Sequence, residues 1–488
     1  MGYHLIDMFK FIGRGIATAS KFIFMQQALN TKEGAKLLKN NEIEQFLSAR
    51  NKGLLLDGQS RRLSENESYQ NVCLAARVGS GKTTKYIIPN VLDKATQDCS
   101  IAIHDPKGEI FNLTSGYLEQ QGYNIVVYDV QNPDKSNCFN PCWDAKSEVE
   151  LEQIAETLIW AGNPSQGEKY WNNGASRILS VLLKCLSHGE AKYFNIVNLH
   201  HLLQKMGDMG EGLDDWIAIN GWNPKYPDDK YLIDEWKGAV TGNEGSVNSF
   251  ISNCLTALRA LTNRDLKRFF HTSDYKLSNF RKEKTAIFFI TPPEQQAYYS
   301  FVTSLFFKSL FNECMRKEHI QTKPRPAYIL YDEFGNSFIP DFMSVANTIR
   351  GYGVSLSIIL QTISQLEEKY TRAGSMTIQG AMNTNICLSG ADPSTANYFS
   401  DVSGKVRDLQ TSELANPLIN HQEYNLINSN EVRTMHEDQV LVISKNRNPA
   451  IIPIKPFYEV RKWVKRSKIA PYIIDTEDRP QTVPLVTV

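Results

Sequence analysis

Two textures of hydrophobic and polar positions alternate along the chain. From Asn71 to about Asn140, apolar runs of strand length (Val72–Ala76, Ile101–Ile103, Ile125–Tyr128) are separated by helix-like stretches, YIIPNVLDKA and FNLTSGYLEQQG. The second stretch closes on Gly122, as helix ends commonly do. Strand alternating with helix predicts a parallel sheet with right-handed crossovers. From Lys146 to about Lys284 the strand pattern stops. Ser147 followed by Glu148 and Glu150 opens a helix, and SRILSVLLKCL, NIVNLHHLLQKM and NSFISNCLTALRAL keep i, i+3, i+4 spacing. After Lys284 strand-sized runs return at Ala286–Ile290, Tyr328–Tyr331, Ser355–Leu360, Ile386–Leu388, Val440–Ile443 and Ile451–Ile454, with helices over TSLFFKSLFNECM and DFMSVANTIRGYG. The expected organisation is an α/β domain over residues 70–145 plus 285–460, interrupted by an all-α insertion at 146–284. An N-terminal helical segment and linker (1–69) and a tail (461–488) flank it. Within the first of these a helix is predicted over Lys32–Leu47.

In helical projection, Leu5, Phe9, Ile12, Ile16 and Ile23 fall on one side and Lys10, Arg14 and Lys21 opposite. Such a basic amphipathic helix either lies on an anionic membrane surface or packs on the protein's own core. No apolar run approaches the ~18 residues of a membrane-spanning helix. Five of the seven tryptophans (Trp160, Trp171, Trp216, Trp222, Trp236) fall in the helical insertion. Tryptophan on helices is more often core than a base-stacking platform.

Composition changes this picture little. Hydrophobic content of 42% and charged content of 22% are those of a globular protein. The formal net charge is zero, so any contact with nucleic acid must come from a local basic patch. The eight cysteines are scattered, and the one close pair, Cys138 and Cys142, lacks the partners of a zinc site. A reducing, cytoplasmic setting is expected.

Candidate chemistry begins at Leu74–Thr84, LAARVGSGKTT. Strand, glycine-rich turn, Gly-Lys-Thr and helix make a phosphate loop, with Ala76 where the strict pattern has glycine. Gly79, Ser80 and Gly81 let backbone N–H groups converge on an anion at a helix start. Lys82 supplies charge to the β- and γ-phosphates, and the Thr83 hydroxyl, followed by Thr84, can ligate Mg²⁺. A second motif, YILYDEFGN, ends a buried strand on Asp332-Glu333, the Walker B arrangement. There Asp332 holds Mg²⁺ and Glu333 orients and deprotonates water. Arg350 ends the next helix and Gln361 emerges from the next strand, where such groups can sense or stabilise a γ-phosphate. For Arg350, an interaction with the helix dipole is an equal alternative. His104-Asp105-Pro106-Lys107-Gly108-Glu109 sits at a strand's carboxyl end, either a ligand edge or a solvated turn.

Taken together, VGSGKTT, IHDPKGEIFNLTSGY, Phe139–Pro141, ILYDEFGN, IRGYGVSLSIILQTISQL and NTNICLSGADPSTANYFSDVSG resemble the type IV secretion coupling proteins, the ATPases of conjugative DNA transfer. The resemblance implies a RecA-like P-loop NTPase using ATP and Mg²⁺. It implies a homo-hexamer that receives a relaxase on single-stranded DNA, or effector proteins, and delivers them to the secretion channel. A nucleotide-gated docking receptor and a double-stranded DNA translocase are the alternatives. The resemblance implies Lys82, Glu333, Arg350 and Gln361 as catalytic residues, Gly79–Thr84 as the nucleotide loop, and Thr83 and Asp332 as metal ligands. Family members typically begin with two transmembrane helices, and this chain has none. Peripheral contact or a separate membrane-anchor protein would then place it at the inner face of the cell membrane. The RKWVKRSK tail, Arg461–Lys468, is expected to be a solvated basic strand edge, or else a contact for phosphate or lipid headgroups.

Overall fold

The apolar runs that lack alternation become strands covered on both faces, as the pattern of parallel strands requires. The computed structural model describes residues 33–162, 169–223, 230–295, 298–410, 420–474 and 482–488. The amphipathic segment within residues 1–30 lies outside them. In chain order the strands are β1 (Glu33–Gly34), β2 (Val72–Ala75), β3 (Ser100–His104), β4 (Asn124–Asp129), β5 (Thr285–Ile290), β6 (Ala327–Tyr331), β7 (Val354–Leu360), β8 (Thr384–Leu388), β9 (Lys405–Gln410), β10 (Asn420–Asn425), β11 (Gln439–Ser444) and β12 (Ala450–Pro453).

Nine of these form one sheet in the order β12-β11-β8-β2-β7-β6-β3-β5-β4. Strands from β8 to β4 run parallel, and the β11–β12 hairpin closes one edge antiparallel. Alternate residues feed two cores. Val72 and Leu74 join the core under helices Ile88–Lys94, Glu109–Gln120 and Arg461–Ser467. Cys73 and Ala75 join the opposite core, which is continuous with helix Ser300–Cys314 and with the helices between β4 and β5. In that interval the described residues form only helices, from Glu148–Gly162 to Arg264–Phe270. Trp216 and Trp236 are buried there, and Trp236 Nε1 donates to Asp214 Oδ1 at 2.8 Å. Trp171 stays partly exposed and packs against Tyr170 and Phe250.

Two expectations need correction, and one element is new. The helix over 32–47 is only Asn40–Phe46. Ahead of it Glu33–Gly34 pairs with β9, where Gly34 has φ +112° and a Cβ would lie 2.6 Å from Lys405 O. A helix cannot run through that contact. Arg461–Ser467 is a helix, not a strand edge. Its Trp463 is fully buried and donates to Gly58 O at 2.7 Å, while Lys462 and Arg466 donate to Gln59 O and Leu92 O. The hairpin β9–β10, a separate small sheet with β1, was not anticipated. All eight cysteines are free and buried. No described helix is long and apolar enough to cross a membrane.

Candidate functional site

The site lies at the carboxyl edge of the parallel strands. Where β2 ends, the Ala76 N–H donates to Leu360 O at 2.9 Å, fastening the loop to the end of β7. Gly79 and Gly81 take φ of 83° and 90°. At Gly81 a Cβ would come within about 3 Å of the Lys85 side chain, so glycine is required both for the turn and for that approach. A widened helical turn, Lys82–Ile87, follows directly. Buried Lys85 supports the loop from beneath, donating to Ser80 O and to Glu437 O, both at 2.9 Å. Burial holds its pKa below the ordinary lysine value. Thr83 is half-buried within the turn. Thr84 Oγ1 donates back to Gly81 O at 3.3 Å.

β6 delivers the acidic pair. Lys82 Nζ lies 3.1 Å from Asp332 Oδ1 and 3.2 Å from Glu333 Oε1. Burial raises the Asp332 pKa against the opposing pull of Lys82. Glu333 adopts φ +53°, a left-handed conformation uncommon outside glycine, which turns the chain sharply as it leaves the strand. Asp332 is steadied from β3. Fully buried His104 places Nδ1 against Asp332 O and Nε2 2.8 Å from Thr291 Oγ1. A carbonyl can only accept, so Nδ1 carries the proton and the ring is neutral, in keeping with a pKa that burial pushes down to about 4.

Gln361 immediately follows β7, whose Leu360 is in register with Ala75, so it stands beside the loop. Arg350 does not. It is exposed and precedes β7 at the amino edge, near Lys445, whose pKa is lowered first by burial and second by the Arg350 charge. The seven residues of β7 put about 20 Å between it and the loop of its own chain. Asp105 also has another task than the ligand edge suggested. Its Oδ2 accepts from the Phe111 N–H at 2.8 Å, capping helix Glu109–Gln120. A cavity of about 780 Å³ lies over β3, β5 and β4, lined among others by Lys107, Lys135 and Tyr472. It is offset from Lys82 across the sheet. The charge arrangement, not cavity volume, marks the phosphate site.

The family model for the type IV secretory system conjugative DNA transfer proteins matches residues 25–474. The chain belongs to that family. It is 23% identical over 403 residues to protein VirD4 of Rhizobium radiobacter, an alignment covering 80% of this chain and 57% of that protein, so the chain spans little more than half the length of the relative. The plasmid coupling protein TrwB superposes with a TM-score of 0.67 in its complex with ADP and Mg²⁺, at 12% identity. Its complex with the ATP analogue ADPNP superposes with a TM-score of 0.68, at 11% identity. Each comparison covers 87% of this chain and 94% of TrwB. The fold is that of a RecA-like P-loop NTPase with a mostly parallel sheet. Three residues of this family member's cleft escaped sequence reasoning, Lys85, Asn336 and Gln365, and the role of His104 beneath Asp332 was not read from its place at the strand end. Each acts through a neighbour's backbone or side chain, and no spacing rule marks such a role. For Gln365 the QTISQL run, with a second glutamine four residues past Gln361, was the available signal.

Proposed function

We propose that this chain is the ATP-hydrolysing motor of a coupling protein that delivers cargo to a type IV secretion channel. The observation that carries this reading is the ion pair from Lys82 to Asp332 and Glu333, which joins two motifs 251 residues apart in one cleft. The residues present fit a magnesium nucleotide. Gly79 is open on its Cβ side, Gly81 supplies the second left-handed turn, and one cation and two carboxylates face each other beyond them. In this reading Gly79, Ser80, Gly81 and Thr84 shape the loop that binds phosphate, and Lys82 turns from its carboxylate partners toward the nucleotide. Thr83 and Asp332 hold Mg²⁺, which neutralises phosphate charge when bound. Glu333 accepts a proton from water, and Gln361 stands where the terminal phosphate would be sensed. TrwB, a relative in fold, binds ADP and Mg²⁺.

By the same reading residues 146–284 form an all-α insertion domain that meets cargo, a relaxase on single-stranded DNA or an effector protein. Residues 70–145 plus 285–460 form the nucleotide domain, flanked by 1–69 and 461–488. Six copies assemble into a ring at the inner face of the membrane, held there by peripheral contact or a separate anchor. The test is steady-state ATPase activity with and without single-stranded DNA, for the parent chain and for Glu333→Gln. We expect DNA to stimulate turnover and the substitution to reduce it about a hundredfold or more. Activity indifferent to both would end the motor reading.

A further inference from the structure

Glu333 has two carboxylate oxygens, and the charge-bearing partner Lys82 occupies only one. The other, Oε2, accepts from Asn336 Nδ2 at 3.3 Å. Asn336 Oδ1 in turn accepts from Gln365 Nε2 at 3.5 Å. Gln365 Oε1 accepts from the backbone N–H groups of Gln361 at 3.0 Å and Thr362 at 3.4 Å. Every donor in this chain points the same way, from the end of β7 toward the Glu333 carboxylate. Aligned amides of this kind polarise one another. The path exists because position 335 is glycine. A Cβ there would lie 2.6 Å from Gln365 Oε1 and Cδ. All three polar side chains are half-buried, so water competes for them less than at an open surface.

We infer that Gln365, acting through Asn336, is a positioning residue that orients the Glu333 carboxylate and couples it to the strand end that carries Gln361. The inference rests on the hydrolytic reading above and deepens it. Gln361 is the polar group at that strand end, and Glu333 is the group that takes the proton from water. A shift of the β7 end that repositions Gln361 also moves the two N–H groups held by Gln365. The terminal-phosphate sensor and the base would then be set together.

The experiment uses the full chain with ATP and Mg²⁺ and measures kcat, KM and the affinity for a fluorescent ATP analogue. The variants are Gln365→Ala, the similarly sized Gln365→Met, Gln361→Ala, the Gln361→Ala/Gln365→Ala double variant and Glu333→Gln. A mispositioned base is expected to lower kcat about ten- to a hundredfold in both Gln365 variants, with KM and analogue affinity within about twofold. The double variant is expected to fall no further than the worse single variant, since both break one unit. Hydrolysis that drops with Glu333→Gln but not with Gln365→Met overturns the positioning role alone. Losses that multiply in the double variant overturn the coupling to Gln361. Hydrolysis that survives Glu333→Gln overturns both the motor reading and this inference.

Discussion

Asp105 shows how a carboxylate in a family motif can serve the scaffold rather than a ligand. It is almost fully buried, it caps helix Glu109–Gln120, and burial pushes its pKa up to about 6. The sign follows from proton binding. Between the ordinary carboxylate value near 4 and about 6, the folded chain holds a proton that the unfolded chain has lost, so stability declines as pH rises through that window. Asp105→Asn keeps the capping oxygen and removes the titration. Measured by chemical denaturation, the variant should gain on the parent by about 1.4 kcal/mol between pH 5 and pH 7.5. His104 titrates with the opposite slope, its contribution being lost as pH falls from about 6.5 toward 4, but it is common to both proteins and cancels in the difference. Gly335 is the other residue whose chemistry is set by its surroundings. Gly335→Ala must displace Gln365, so turnover should fall as it does in Gln365→Ala, with nucleotide affinity retained. A fully active Gly335→Ala protein would mean the loop has room to yield.

At the scale of elements, what was legible in the chain was what burial on both faces imposes. Runs such as SIAIH, TAIFFI, AYILY and VSLSIIL are strands because both of their faces are buried, the serines of the last included, and all are interior strands of the sheet. Their order was not legible. β2 and β3 are consecutive in sequence but stand apart, with β7 and β6 between them, since crossovers of similar length can reach several slots. The β9–β10 hairpin, KVRDLQ and NHQEYN, lacks an apolar run and was missed for that reason. The tail misled in the opposite sense. RKWVKRS is dominated by cations, yet Trp463 anchors it in the core shared with helices Ile88–Lys94 and Glu109–Gln120. Two of its cations, Lys462 and Arg466, are engaged by carbonyls and by the faces of Tyr117 and Trp463, while Arg461 and Lys465 remain exposed. Trp463→Ala should cost about 3–5 kcal/mol in urea or guanidinium unfolding. Trp463→Phe retains most of the packing but leaves Gly58 O without its donor, and should cost about 1–2 kcal/mol. Equal losses for the two would locate the energy in the hydrogen bond instead of the packing.

For the whole molecule, the parallel sheet has two edges with different chemistry. The carboxyl edge gathers Lys82, Asp332, Glu333 and Gln361, while the amino edge carries Arg350 with Lys445 nearby. The length of β7 keeps Arg350 from its own phosphate loop, although the two segments lie on neighbouring strands. If Arg350 acts on a nucleotide at all, it acts on one held by another copy of the chain, reached from the amino edge. That requirement ties its role to assembly, and a mixing experiment tests it. Lys82→Ala chains lose the loop cation but keep Arg350, and Arg350→Ala chains keep an intact loop. Alone, each is expected to hydrolyse ATP at a small fraction of the parent rate. Mixed one to one under conditions that favour assembly, the pair should regain activity well above the mean of the two, because some shared boundaries combine an intact loop with an intact arginine. Lack of recovery, in assemblies shown by light scattering to contain both chains, would return Arg350 to a purely structural role at the amino edge.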